Sequence, residues 1–262
     1  MLSREIEAVA KELKLDQTVV ELHASLRSLT PRVDGDSIIG TFLHLGTTLM
    51  IPAFSHICEV RPSEVVQQEV NGFSYGPPIS CSKGVSYTPA HSHVDENMGV
   101  LPRLALKRGA ERGGNPFNSF CAIGPHAFGL MRDQTAQETY GHIQSGAALG
   151  GKLLLIGLDL RVATCLHLAE RMVGRKHYVR WFCREGAMES ARVGSCSFAF
   201  GDFMEVIPHE AQMSVCGSVW SVYDLPIVLE TAVDALKKNR YLGLCNRRSC
   251  LRCAIERARV DL

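Results

Sequence analysis

Three polar side chains, Thr164, His167 and Glu170, have residue types and a spacing that suit proton-transfer chemistry. A histidine can take up or release a proton near neutral pH, and a carboxylate three residues further along a helix can orient its ring. Residues three apart lie about 60° apart around a helix axis, so these side chains would form one polar patch. An ordinary surface helix with a solvated histidine and glutamate has the same spacing, and this alternative stays open.

The stretch before this patch reads as a strand that leads directly into the helix. Residues 153–158 form an apolar run interrupted only by Gly157, which is typical of a strand buried on both faces. Asp159 then turns the chain, and residues 163–173 contain neither glycine nor proline. Because open α/β sheets bind ligands where their strands end, the sequence predicts a site at this junction.

A second strand ends in polar groups of the same kind. Residues 17–22 are β-rich and are followed by His23 and Ser25, so these two side chains would lie at the carboxyl end of that strand. A purely local role, in which both residues cap or turn the chain, is the alternative.

The remaining patterns predict the elements that surround these two strands. Amphipathic or capped segments indicate helices at 2–13, 37–45, 98–108, 126–131 and 226–238. β-rich segments indicate strands at 47–51, 119–123, 179–183, 192–200 and 204–207. Residues 55–97 are rich in proline and glycine and predict a long loop region, of the kind that often carries function. His91 and His93 lie in it, but no set of further ligands indicates a metal there.

Composition restricts the class of protein. The chain has 262 residues, 46% of them hydrophobic and 21% charged, which suits a globular protein with one large domain or two small ones. Of these, we expect one domain over residues 1–262. A net charge of +1 argues against a nucleic-acid binder or a polybasic membrane protein. No apolar run is long enough to span a membrane, and the first residues lack the apolar core of a signal peptide, so we expect a cytoplasmic protein.

Ten cysteines are many for such a chain. We expect seven of them to be free thiols of a reducing compartment: Cys58, Cys81, Cys121, Cys165, Cys183, Cys196 and Cys216. The other three, Cys245, Cys250 and Cys253, follow a C-x4-C-x2-C pattern in a tail at about 243–262. Three thiolates are one short of a closed zinc site, and a fourth ligand would have to come from a distant histidine or cysteine. The favoured reading is reduced or buried thiols, and no residue is assigned as a metal ligand.

Several segments resemble the aminoglycoside 3-N-acetyltransferase family and follow one another in that family's order. The most specific is residues 164–170, which match a Thr-x-x-His-x-Ala-Glu signature. Looser matches lie at residues 22–29, 46–54, 98–102 and 112–124. The resemblance extends over nearly the whole chain, with a shortened region near residues 30–45.

The resemblance implies a layered α/β/α sandwich with a mixed central sheet. It also implies a reaction in which acetyl-coenzyme A, as co-substrate, gives its acetyl group to an amine of a small molecule, an aminoglycoside 3-amino group or a related amino sugar. Coenzyme A and the amine would be the binding partners. The apolar helix predicted at 226–238 offers a surface on which a homodimer could form.

The resemblance also assigns roles to individual residues. His167 would be the general base, Glu170 would orient it or hold the amine, and Thr164 would shape the same pocket. Residues along the coenzyme A site would be His23, Ser25, Arg112 and Ser119. Acidic residues for a polyamine substrate would come from the loop region, with Asp95 the favoured one besides Glu170: Glu59, Glu64, Glu69, Asp95 and Glu96.

Four positions differ from the family pattern and define the competing hypotheses. Three of them would remove hydrogen bonds near the cofactor, and the fourth places a cation where a carboxylate is usual: Ala24, Gly113, Asn115 and Arg103. One alternative is therefore a coenzyme A or small-molecule binder without catalysis. A second is a biosynthetic N-acetyltransferase that acts on another amine. A third is a metal-dependent hydrolase built on His91, His93 and the cysteine tail.

Overall fold

The structure is a computed structural model that describes residues 2–62, 77–90 and 93–261. Its strands are β1 (Val19–Ala24), β2 (Thr48–Pro52), β3 (Glu59–Val60), β4 (Glu111–Arg112), β5 (Phe120–Ile123), β6 (Lys152–Ile156), β7 (Tyr178–Arg184), β8 (Ala187–Val193), β9 (Ala211–Val215) and β10 (Ser218–Asp224). Its α-helices are α1 (Leu2–Glu12), α2 (Gly35–His44), α3 (Leu101–Lys107), α4 (Ala127–Arg132), α5 (Gly141–Ala148), α6 (Cys165–Met172), α7 (Leu225–Lys238) and α8 (Leu251–Val260).

Seven of the strands form one mixed sheet in the order β4-β5-β2-β1-β6-β10-β9. The three central strands, β2, β1 and β6, are parallel, and the strands on either side of them run antiparallel to their neighbours. In the register of β1 and β6, His23 lies opposite Leu155 and Ala24 opposite Ile156. The carboxyl ends of the three central strands therefore meet at one edge of the sheet, as the sequence predicted for a ligand site.

Helices cover both faces of this sheet because side chains alternate along its central strands. Val20 and Leu22 of β1 pack with α1, α2 and α3 on one face. On β6, Leu153 and Leu155 pack with α5, α6 and α7 on the other face, while Leu154 and Ile156 join the first. All four β6 side chains are fully buried, as predicted, and each contributes about 1.5–3 kcal/mol of hydrophobic free energy. The predicted α/β/α sandwich with a mixed sheet is confirmed.

Helix α7 is the predicted helix at 226–238, and its apolar face is used inside the molecule. Asp224 caps its first turn by accepting a hydrogen bond from the backbone N–H of Ile227. Val228, Ala232 and Leu236 are buried in the core beneath the sheet. That face is therefore not available as the dimer surface suggested by the sequence.

Two predicted strands after residue 190 are wrong. The strand expected at 192–200 corresponds to β8, which ends at Val193, and the segment expected as a strand at 204–207 overlaps a 3-10 helix over Phe200–Glu205. The sequence also did not assign α5, β9, β10 or α8. Strand β8 pairs with β7, and β7 with β3, in a separate three-stranded sheet.

One pair of cysteines forms a disulfide that the sequence did not predict. Cys81 and Cys183 form a disulfide that joins the loop region to β7, whereas the sequence predicted two free thiols. The two residues are 102 positions apart, so no local sequence pattern predicts this disulfide. The remaining eight cysteines are free.

No helix in the described ranges combines the length and the apolar character that crossing a lipid bilayer requires.

Candidate active site

A cleft of about 790 Å³ opens at the carboxyl ends of β1, β2 and β6. Its wall also includes residues 96–101, the segment that leads from β6 into α6, and four further residues: Arg103, Asn118, Ser197 and Phe200. Four of the side chains predicted for the site line this cleft: His23, Ser25, Thr164 and His167. The structure thus brings together two segments that are about 140 residues apart in the sequence.

His167 reaches the cleft from α6 and is held from behind by Glu170. The His167 Nδ1 atom lies 2.9 Å from Glu170 Oε2, and the Glu170 side chain is only 3% exposed. Arg175 donates a hydrogen bond to Glu170 Oε1, and the Ser195 hydroxyl donates one to Oε2. A solvated surface pair would not be buried in this way, so the surface-helix alternative is wrong.

The electrostatics of this group fix the proton on one ring nitrogen. Burial by itself would raise the pKa of Glu170, but His167, Arg175 and Ser195 together lower it below the ordinary carboxyl value. An ionised carboxylate can only accept hydrogen bonds, so His167 carries its proton on Nδ1. Its Nε2 atom makes no hydrogen bond with any residue that the structure describes, which leaves a lone pair for a ligand in the cleft.

Two aromatic rings contact the imidazole of His167. Tyr140 stacks on His167 with ring centroids 5.9 Å apart and an angle of 16°, and Phe200 contacts it at 4.6 Å. Gly194 passes so close that a Cβ there would lie 2.3 Å from the Tyr140 hydroxyl and 2.9 Å from His167 Cγ. Only glycine fits at this position, and the close approach of the backbone limits movement of the ring.

His23 belongs to a second histidine–carboxylate pair. Its Nε2 atom lies 2.9 Å from Oε1 of Glu21, which is fully buried. The same oxygen accepts a hydrogen bond of 3.2 Å from the backbone N–H of Cys165, at the start of α6. A carboxylate is favourable there because the amino end of a helix carries partial positive charge. Glu21 thus connects the two strand ends that the sequence singled out.

Arg112 and Ser119, predicted to contact coenzyme A, do not line the cleft. The Arg112 side chain is buried and donates hydrogen bonds to Ser119 Oγ at 2.9 Å and to Ser55 Oγ at 2.8 Å. It also donates to the backbone oxygens of Ala53 and His93. These hydrogen bonds join Arg112 and Ser119 to the end of β2 and to the adjoining loop.

The two acidic residues predicted to bind substrate are also occupied elsewhere. Asp95 accepts hydrogen bonds from the backbone N–H of His56 at 3.0 Å and from its Nδ1 at 2.6 Å. Glu170 faces Arg175 and is absent from the cleft wall. Glu96, next to Asp95, lines the cleft instead. Among the other acidic residues named from the sequence, Glu59 pairs with Arg180. Three further residues named from the sequence lie outside the described residues: Glu64, Glu69 and His91.

Two departures from the family pattern have structural explanations away from the cleft. A Cβ at Gly113 would lie 1.8 Å from the Gln134 side chain, which accepts a hydrogen bond from the backbone N–H of Phe120. Asn115 is fully buried and donates to the backbone oxygen of Arg192 at 2.7 Å. Both residues therefore belong to a buried network, and neither of them lines the cleft. Ala24 does line the cleft.

The charges along the cleft wall are mainly positive. Arg27, Arg103 and Arg161 line it, and Arg161 is paired with Asp159 at its Nε atom, 2.9 Å from Oδ1. Glu96 is the one carboxylate among the described residues of the lining. Arginines suit the phosphate groups of a nucleotide-type ligand, because a guanidinium forms paired hydrogen bonds with phosphate oxygens.

Several residues of the site were not found from the sequence. Glu21 had a signal, since residues two apart on a strand point to the same face and His23 was already a candidate. Arg175 lies beyond the end of α6 and had only a weak local signal. Tyr140, Ser195 and Phe200 come from other segments, and no spacing rule relates them to His167.

Comparison with known proteins agrees with this geometry. A family model described as aminoglycoside 3-N-acetyltransferase matches residues 22–209. The aminoglycoside N(3)-acetyltransferase VII of Streptomyces paromomycinus is 37% identical over 91 residues, which cover 33% of this chain and 32% of that protein. The chain thus matches about a third of the length of this curated relative.

Solved structures show the same fold over almost the entire chain. The apoenzyme of aminoglycoside acetyltransferase AAC(3)-IVa superposes with a TM-score of 0.75 at 19% identity, over 98% of this chain and 96% of that chain. AAC-IIIb in its binary complex with CoASH superposes with a TM-score of 0.73 at 20% identity, over 91% of this chain and 97% of that chain.

Proposed function

Because the chain belongs to the aminoglycoside 3-N-acetyltransferase family, we propose that it transfers the acetyl group of acetyl-coenzyme A to an amine of an aminoglycoside or a related amino sugar. One observation carries this proposal: His167 presents an unpaired Nε2 to the cleft while Glu170 holds Nδ1. This is the arrangement required of a general base whose second nitrogen is fixed by a carboxylate. The activity named for the curated relative is of the same type.

In this mechanism His167 removes a proton from the amine as its nitrogen attacks the acetyl carbonyl carbon. The new C–N bond forms, the C–S bond breaks, and the proton on His167 Nε2 can then pass to the departing coenzyme A thiolate. Glu170 stays ionised and stabilises the imidazolium that forms in between. Holding the thioester and the amine together in the cleft supplies a further share of the rate, up to about 7–11 kcal/mol in well-oriented systems.

In this proposal the positive charge of the cleft holds coenzyme A. Arg27 and Arg103 offer guanidinium groups to its phosphates, and the Ser25 hydroxyl does not cap the short 3-10 helix Leu26–Ser28 that follows it. His23 would form part of the same wall. The AAC-IIIb relative of the same fold binds CoASH, which supports a coenzyme A site in this fold.

The charge balance of the cleft favours a second candidate for the acceptor. Aminoglycosides are polycations and require clustered carboxylates, whereas Glu96 is the one acid on the described wall. A less cationic amine would fit this wall better. The second candidate is therefore a biosynthetic N-acetyltransferase with the same chemistry, and antibiotic resistance follows only from the first.

We further propose that the chain acts in the cytoplasm as one domain over residues 1–262. Acetyl-coenzyme A is an intracellular metabolite, which supports this location.

The test is thiol release from acetyl-coenzyme A across a panel of amines. The panel holds several aminoglycosides, simple amino sugars, amino acids and aminonucleosides, and each reaction is checked by mass for an acetylated product. Release with an aminoglycoside is the expected result, and release only with another amine selects the second candidate. If no amine supports release while calorimetry shows that coenzyme A binds, the protein is a binder and the proposal fails.

A further inference from the structure

We propose that Cys196, Cys245, Cys250 and Cys253 form a structural zinc site. Their four sulfur atoms all lie within 4.8 Å of one another. The sequence supplied three of them in the C-x4-C-x2-C tail, one short of a closed site, and the fold adds Cys196 from 49 positions before Cys245. This proposal does not depend on the proposed function, because it concerns metal binding alone.

The geometry of the sulfur cluster fits a tetrahedral ion. With Zn–S bonds of about 2.3 Å, neighbouring sulfurs of a tetrahedron lie about 3.8 Å apart. The sulfurs of Cys196 and Cys245 are 3.9 Å apart. All four residues are free thiols, whereas Cys81 and Cys183 in the same structure are joined by a disulfide. Four sulfurs within 4.8 Å of one another, and not two bonded pairs, are the arrangement expected of a tetrathiolate metal site.

The surroundings of the sulfurs favour thiolates. The backbone N–H of Phe198 points to Cys196 Sγ at 3.5 Å, a hydrogen bond that stabilises a thiolate ligand. Arg257 donates to the backbone oxygen of Cys245 at 2.8 Å, and Arg252 to that of Ser195 at 2.8 Å. A zinc ion with four thiolates has a net charge of −2, and these arginines place positive charge beside it.

The tail has few buried apolar residues, so a metal could stabilise its position. The buried residues of α8 are Cys253 and Glu256, so this helix has little apolar surface with which to hold its position. The cluster of buried residues around the sulfurs is small, with Leu244 as its one buried aliphatic residue in the described chain. Metal–thiolate bonds can replace a hydrophobic core in such a place, as in other small zinc-bound segments. Three of the four cysteines are buried, which makes a closed, structural site.

The site is joined to the cleft through its upstream ligand. Cys196 lies between Ser195, which donates to Glu170, and Ser197, which lines the cleft. A metal on Cys196 would fix the segment that supports His167 from behind. It therefore connects the tail to the catalytic group without contacting the substrate.

The first experiment measures the metal content of the untagged full-length chain purified without chelator. We expect about one zinc ion per chain by mass spectrometry of the elements, displaced by a mercurial reagent that titrates the cluster thiols. Replacement of zinc by cobalt should give the absorption bands of a tetrahedral thiolate complex. A folded, monodisperse sample with no bound metal, or with cobalt spectra that lack thiolate bands, overturns the proposal.

The second experiment compares two serine variants. Cys250→Ser removes the most accessible ligand of the cluster, and Cys216→Ser is the control, because Cys216 is a partly exposed free cysteine outside it. We expect the chelator concentration that removes half of the zinc to fall at least about tenfold for Cys250→Ser and to stay unchanged for Cys216→Ser. Equal zinc retention in both variants contradicts the site. If Cys250→Ser does not fold, chelator titration of the wild type decides: a melting temperature unaffected by complete chelation rules out a structural metal.

Discussion

One histidine–carboxylate pair lies on helix α6 and a second at the end of β1, and they differ in what surrounds the carboxylate. His167 with Glu170, and His23 with Glu21, both have a nitrogen–oxygen distance of 2.9 Å. Glu170 is bound on both oxygens, by Arg175 and Ser195 as well as by its histidine. Glu21 shares Oε1 between His23 and the start of α6, and its Oε2 has no partner among the described residues.

The different surroundings of the two carboxylates indicate different functions for the two pairs, although their nitrogen–oxygen distances are equal. A carboxylate that is fixed by a cation and a hydroxyl holds the imidazole in one tautomer and stabilises its protonated form. The rings of Tyr140 and Phe200 add a fixed orientation for His167. His23 meets one aromatic ring edge-on, that of Phe120 at 6.3 Å, and its carboxylate is partly used to hold the amino end of α6. The distance between two atoms therefore identifies a pair but not its function.

The largest expected effect is the difference in kcat between alanine variants of the two histidines. His167→Ala should lower kcat by about 10²–10⁴-fold, the range of a lost general base, at an unchanged melting temperature. His23→Ala should change kcat by less than roughly tenfold and raise KM for acetyl-coenzyme A, as expected of a residue on the binding wall. Steady-state thiol release measures both. Turnover of His167→Ala within a few-fold of wild type, or an equal loss in both variants, would remove the distinction.

A smaller effect is expected for the two carboxylates, whose glutamine variants should differ in the free energy of unfolding. Glu170→Gln leaves Arg175 buried without its counter-charge and should lower the free energy of unfolding by about 3–5 kcal/mol, and kcat by roughly 10²-fold. Glu21→Gln removes no buried ion pair with an arginine and should cost only about 1–3 kcal/mol.

Chemical denaturation of both variants, followed by fluorescence, gives the two unfolding free energies. Activity below the denaturation midpoint gives kcat for the folded fraction. Should Glu21→Gln prove the more destabilising of the two, the assignment of the fixed carboxylate to α6 would be contradicted.

The smallest expected effect comes from a third histidine, His142, which has no carboxylate at all. It is fully buried, neither ring nitrogen has a partner among the described residues, and burial lowers its pKa to about 3 from the ordinary 6.5. Between these values the unfolded chain binds a proton that the folded chain does not, so stability falls as the pH drops below 6.5. The loss attributable to His142 should be about 2 kcal/mol at pH 5.

His142→Leu should flatten that part of the stability curve while leaving turnover near neutral pH unchanged. Unfolding free energies measured from pH 7 to pH 4.5 on both proteins test this. Parallel curves for the variant and the wild type would show that another group causes the acid sensitivity.

Much of the fold was predictable because its central elements carry strong local patterns. The apolar run of β6 and the capped, amphipathic α7 were located within a few residues. The strand expected at 192–200 was wrong after Val193, where Gly194 packs closely against His167 and Tyr140 and Phe200 contacts the His167 ring. Local propensity has no access to such contacts.

The sequence placed His23, Ser25, Thr164 and His167 at strand ends that form the cleft, but it related two side chains to each other directly only where they are neighbours along the chain. His167 and Glu170 lie one helical turn apart, so spacing alone related them. The resemblance placed Arg112 along the coenzyme A site, but the side chain is buried against Ser119 and Ser55. Asp95, which was expected to bind substrate, likewise forms a hydrogen bond with His56. Whether a charged side chain faces ligand or protein depends on burial, which no short motif encodes.

The sequence by itself determined the α/β class, the strand-to-helix junction at residues 153–173 and the chemistry available at His167. Those features follow from periodicity and residue type within a dozen positions. Only the tertiary structure decided that Ser195 and Arg175 hold Glu170, that Glu21 reaches the start of α6, and that Cys196 completes the cysteine cluster. These contacts join segments that are separated along the chain, and their geometry exists only once the layers have packed.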